Sequence, residues 1–132
     1  MAREIKFRAW YKDTKMMLDD VPVWKNMHYH ISDESENLGG DFSECELMQY
    51  IGLGDIESNE LYEGDIVEYI NKRGEKQRRF IGFGNGSYRL KKSNRTKDTK
   101  DRIIFAKMIY RSKLTVIGNI HKDPELLNIP TQ

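Results

Sequence analysis

His28, Tyr29 and His30 place two imidazoles two residues apart, so a strand would turn both to one face, where nearby carboxylates complete a metal site. No third ligand stands at a diagnostic spacing, and the pair reads as structural or surface histidine. Gly82, Gly84 and Gly86 have the spacing of a phosphate loop. No Lys-Ser or Lys-Thr pair opens a helix after them, and the Asn85-Gly86 hairpin signal accounts for them better. Cys45 lies between Glu44 and Glu46, whose charges disfavour its thiolate, and as the lone cysteine it forms no internal disulfide. Ser87 and His121 fall on expected turns without elbow or triad spacing. These residue types therefore predict no catalytic residue, no metal ligand set and no cofactor, and a protein that is not an enzyme.

The basic residues carry more. Lys72, Arg73, Lys76, Arg78 and Arg79 belong to one expected hairpin, and Lys91, Lys92, Arg95 and Lys97 to the next connection, with Phe80 and Tyr88 interleaved. Small barrels bind nucleic acid in this way, with cations on phosphates and an aromatic ring stacked on a base. These nine cations form the candidate nucleic-acid contact set. The alternative for the same residues is a solvated charge run beside core aromatics.

Charge is segregated along the chain although the net charge is only +1. Residues 19–68 hold fourteen acids against one base, Lys25; residues 72–113 hold fifteen bases against Glu75, Asp98 and Asp101. Complementary halves that neutralise each other across the fold, or between subunits, explain this without a polymer, because the acidic half repels the phosphates that the basic half attracts. The basic segment 72–113 as a nucleic-acid surface is the runner-up reading.

The elements that must position these residues are mostly strands. The 132 residues suit one domain around a modest core, and 38% apolar with 11% aromatic residues argues against disorder throughout. No run approaches the ~20 apolar residues of a membrane span, which predicts a soluble, cytoplasmic chain without a membrane partner. Residues 4–11 alternate with period 2, setting Ile5, Phe7, Ala9 and Tyr11 against Glu4, Lys6, Arg8 and Trp10. Residues 12–15 form a turn and Met16 to Leu18 return as a hairpin, and a further pairing element is expected over 21–31. Residues 32–45 read as an acidic loop.

From Glu46 the pattern becomes regular. A short apolar run ends at Gly52, and Glu63-Gly64-Asp65 is a tight turn launching Ile66 to Ile70. Asn71 to Gln77 forms a polar tip, Arg78 to Phe83 returns, and Asn85-Gly86 turns the chain into Tyr88 to Leu90. Ile66, Tyr69, Phe80, Phe83 and Leu90 are the expected core, with Ile66 and Tyr69 on opposite faces. Residues 91–102 lack any apolar side chain and read as a mobile surface loop. Ile103 to Tyr110 is nearly all apolar, and periodicity leaves strand and helix open there. Leu114 to Ile120 is strand-like, with Gly118 at a bulge or close backbone approach, and Pro124 begins a short helical turn over Leu126 and Leu127.

IKFRAW at 5–10 with KMM at 15–17, LMQYIGL at 47–53, LYEGDIVEY at 61–69 and VIGNIHKDPELL at 116–127 resemble, in order, the signature blocks of the YopX family. The resemblance implies a small protein encoded by bacteriophages and prophages, with an SH3-like barrel core. It implies no reaction.

The expected architecture is one mainly β YopX-like domain over 1–132, with α+β character only at its margins. An N-terminal β-hairpin region covers 1–31, the acidic loop 32–45, and an SH3-like small barrel 46–127 with a short C-terminal helix. The expected role is non-catalytic contact, through self-association as a homo-oligomer or with a phage or host protein. Trp10 and Trp24 are the large apolar side chains expected to reach a second copy.

Overall fold

The computed structural model describes residues 4–21, 45–92 and 101–127, which form two compact units divided between Tyr50 and Ile51. The second pairing element, Trp24, His28, His30 and the acidic loop lie outside the described residues, apart from Val21 and Cys45.

In the first unit, β1 (Phe7–Tyr11) pairs antiparallel with β2 (Met16–Leu18) and with the first half of β3 (Cys45–Gly54). Period-2 alternation sends Ala9 and Tyr11 inward with Val21, against Phe7, Leu18, Cys45 and Leu47. Trp10 is also buried, at 8% exposure, so it is not the exposed aromatic the sequence suggested. Alternation along one strand assigns a side chain to a face but does not tell whether that face is covered.

The second unit holds the end of β3, then β4 (Glu60–Tyr62), β5 (Asp65–Ile70), β6 (Lys76–Gly84), β7 (Ser87–Lys91), β8 (Arg102–Ile103), helix α1 (Ala106–Ser112) and β9 (Thr115–Asn119). Strands β8, β7, β6, β5 and β9 lie side by side in that order, each pair antiparallel, as a curled half-barrel sheet. Two hairpins set this order. Asn85 (φ 51°) and Gly86 (φ 83°) form the β6–β7 turn, and Asn71 to Glu75 forms the β5–β6 tip.

Val67, Tyr69, Ile81 and Leu90 line one sheet face, and Met108, Ile109 and Leu114 of the helix region close over it. Ile66 and Phe80, a cross-strand pair, are buried on the other face. Phe83 departs from the expected core: it is 55% exposed, paired with Tyr88 next to the hairpin turn and touching that ring edge-on at 5.0 Å. The buried cluster ends at Tyr88, one strand short of it.

The apolar run over 103–110 divides between β8 and α1, which begins without a side-chain cap at Phe105 and ends at left-handed Lys113. The C-terminal helical turn is a single 3-10 turn, Pro124–Leu126. Both ends of the basic stretch 91–102 are strand: Lys91 closes β7 and Arg102 opens β8, while residues 93–100 lie outside the described set.

Candidate functional site

The second unit has two chemically different ends, because antiparallel pairing brings its turns together in two groups. At one end lie the Tyr62-Glu63-Gly64-Asp65 turn, the Asn85-Gly86 turn and the turn after β9. At the other lie the 71–75 tip and Lys113.

The first end is built around Asp65, only 2% exposed. Its Oδ2 accepts the Tyr62 N–H at 2.8 Å and its Oδ1 accepts from Asn119 Nδ2 at 3.2 Å. Asn119 Oδ1 in turn accepts the His121 N–H at 2.9 Å, and the Asn119 N–H donates to Asp123 Oδ2 at 3.2 Å. The Gly64 carbonyl accepts the Ile120 N–H, and the Gly64 N–H donates to the Ile81 carbonyl, both at 2.8 Å. Gly64 sits at φ 86°, which favours glycine. Gly118 has a different reason. A Cβ there would stand 2.6 Å from Leu126 Cδ1 and 2.9 Å from Asp123 Oδ2, and the β5–β9 register shifts at this point, so both the bulge and the close approach are present.

Asp55 is a second buried hub, 6% exposed. Oδ1 accepts the N–H groups of Glu57 (2.8 Å) and Asn59 (2.9 Å); Oδ2 accepts the Val116 N–H (3.0 Å) and Asn59 Nδ2 (3.2 Å). Burial alone would raise its pKa, but the hydrogen bonds from Val116, Asn59 and Glu57 outweigh it and hold the carboxyl below its ordinary range. This carboxylate occupies a main-chain donor on β9, an edge strand of the five-stranded sheet, and so covers part of that edge. Neither aspartate was singled out from sequence as a buried hub, and Asp65 was read only as part of a tight turn. The closely spaced Asp-Ile-Glu-Ser-Asn run, with its Asx-turn chemistry, was the available signal.

The expected nucleic-acid set separates at the other end. Lys72, Arg73 and Lys76 are exposed. The tip carrying them is braced by Asn71, whose Oδ1 accepts the Arg73 and Glu75 N–H groups at 2.9 Å each and whose Nδ2 donates to Glu75 Oε1 at 3.0 Å. Gly74 supplies the positive φ. Arg78 pairs with Glu68 at 3.1 Å and donates to the Leu126 carbonyl; Arg79 donates to the Arg78 carbonyl and to Gln77 Oε1. Lys91 is largely covered. Its stem lies over Gly82, where a Cβ would meet Lys91 Cδ at 2.5 Å, and its Nζ reaches Asp101 Oδ2 at 3.4 Å. Gly82 therefore makes room for a lysine and does not cradle a phosphate. Buried Arg89 donates to the Gly84 and Asp101 carbonyls. Lys92 is exposed, and Arg95 and Lys97 lie outside the described residues.

Among the described residues, no group of three His, Cys, Asp or Glu is arranged to hold a metal, and no helix is long and apolar enough to cross a membrane. An open apolar groove of about 280 Å³ lies between Leu53–Ile56 and α1, lined by Leu53, Ile56, Ala106, Ile109 and Tyr110. Tyr110 is 76% exposed.

The fold and its hydrogen-bonded turns define a small, mostly β protein with a curled half-barrel sheet. The model of the family described as "YopX protein" matches residues 6–128, and the chain belongs to that family. A solved structure, protein EF1440 from Enterococcus faecalis, is similar in fold: TM-score 0.63 at 23% identity, covering 96% of this chain and 100% of that one. No curated protein matches the chain.

Proposed function

We propose that this protein is a phage- or prophage-encoded protein of the bacterial cytoplasm that acts by contact and not by catalysis, and that its first partner is a second copy of itself. The observation that carries this reading is the apolar groove beside α1, with Tyr110 at its rim. A two-fold contact requires a self-complementary patch. A projecting ring next to an apolar groove meets that requirement, because each Tyr110 enters the other copy's groove. An apolar cavity of about 150 Å³ holds benzene, so this groove has room for a phenol ring. The polar residues of the signature turns support the non-catalytic part, since Asp65, Asn119 and Asp123 hold one another and the backbone.

Sedimentation equilibrium tests the reading on the wild type and on Tyr110→Asp. The expected result is a wild-type dimer and a folded, monomeric variant. A wild-type monomer at high concentration overturns it, and so does a dimer that the variant leaves intact. A stable complex with a phage or host protein formed only by the monomer would place the groove's partner outside the chain and also overturn it.

A further inference from the structure

We infer that the tip end of the five-stranded sheet is a nucleic-acid surface that holds the phosphodiester backbone with Lys72, Arg73, Lys76 and Lys113. The inference rests on the strand register, independently of the apolar groove. The β5–β6 ladder ends at the Ile70–Lys76 pair, so Lys72 and Arg73 project just beyond it. Phe80 pairs with both Ile66 and Lys91, which puts Lys92 level with Val67 in the middle of the sheet, about 10 Å from the tip, so Lys92 is not part of this surface. Glu68 pairs with Thr115, which brings Lys113 to the same end from the other side of β5. Residues separated by about 40 positions thus converge on one end, and all four are exposed.

The acids at this end are engaged. Glu75 accepts from Asn71, Glu68 pairs with Arg78, and Asp101 pairs with Lys91. The exposed charges of the tip are three cations, Lys72, Arg73 and Lys76, against one acid, Glu75, and the Asn71 brace fixes Lys72 and Arg73 on a tip that does not have to order itself on binding. The opposite end of the same sheet carries Glu63, Asp65, Asp123 and Glu125, which orients an approaching polyanion toward the tip. The contacts named are all to backbone, so the surface reads shape and charge and not base sequence.

Fluorescence anisotropy with a labelled mixed-sequence DNA duplex of about 20 base pairs, and with its single strand, tests this between about 50 and 200 mM salt. Four phosphate contacts predict a slope of log affinity against log salt of about −3.6 on the duplex, at about −0.9 per contact. Replacing Lys72, Arg73 and Lys76 with Ser should bring it to about −0.9, while Lys122→Ser, at the opposite end, leaves it unchanged. Circular dichroism verifies that the variants are folded. Absence of binding to either probe at low salt overturns the inference, as does an unchanged slope in the tip variant or an equal drop in Lys122→Ser.

Discussion

The two ends of the five-stranded sheet use polar residues in opposite ways. At the signature-turn end, Asp65, Asn119 and Asp123 are hydrogen-bonded to each other and to backbone, and two of them are buried. At the tip end, one asparagine braces the loop and the cations around it face solvent. Two of the blocks that mark the family, LYEGD and VIGNIHKDPEL, reach the first end, while IKFRAW, KMM and LMQYIGL lie on β1, β2 and β3 of the other sheet. The signature residues of this end act on the fold, tying the turns of the sheet to one another.

The comparison is broken most severely at Gly118. Gly118→Val pushes a branched side chain into Leu126 and Asp123, and the expected loss is about 3 kcal/mol of unfolding free energy in urea. A loss under about 0.5 kcal/mol would show that the turn can move aside and that its close packing is dispensable.

Asp55 comes next, and pH resolves it. Its carboxyl is held below the ordinary range in the folded chain, so its contribution is present at neutral pH. That contribution is lost as pH falls below the ordinary carboxylate range and through the folded value. Asp55→Asn should cost about 2 kcal/mol at pH 7. The gap between variant and wild type should close as the solution is acidified; a gap independent of pH would mean that the charge is not what the three N–H groups require.

The smallest effect belongs to the tip. Replacing Lys72, Arg73 and Lys76 with Ser should change stability by no more than about 0.5 kcal/mol, because these side chains are exposed and the Asn71 brace remains. A loss of several kcal/mol would erase the distinction between the two ends.

Turn chemistry made much of this fold legible in sequence. Asn85-Gly86 and Gly64 stand where positive φ is needed, and the alternation of β1 placed Ala9 and Tyr11 inside. Helix α1 was not legible, because a run that is apolar at nearly every position has no period to read. Phe83 was assigned to the core by its type, although its place beside a hairpin turn leaves it beyond the buried cluster. Lys91 was assigned to the solvent for the same reason. Only the cross-strand register, which lays its stem over Gly82 and its ammonium beside Asp101, shows that it is a structural cation. Among the nine expected nucleic-acid contacts, Lys72, Arg73 and Lys76 lie exposed at one end, Lys92 is exposed in the middle of the sheet, and Lys113 joins the tip from a segment about 40 positions away.

The claim that the signature residues act as one bonded network is tested most directly by a double-mutant cycle on Asp65 and Asn119, read as urea unfolding free energies of Asp65→Ala, Asn119→Ala and the pair. The Nδ2 to Oδ1 bond joins the Glu63-Gly64-Asp65 turn to the end of β9 across 54 positions of sequence, inside the protein. The account predicts that the two losses are coupled by about 1 to 3 kcal/mol, the double variant losing less than the sum of the singles. Losses that add to within about 0.5 kcal/mol would contradict it, since Asp65 and Asn119 would then act separately.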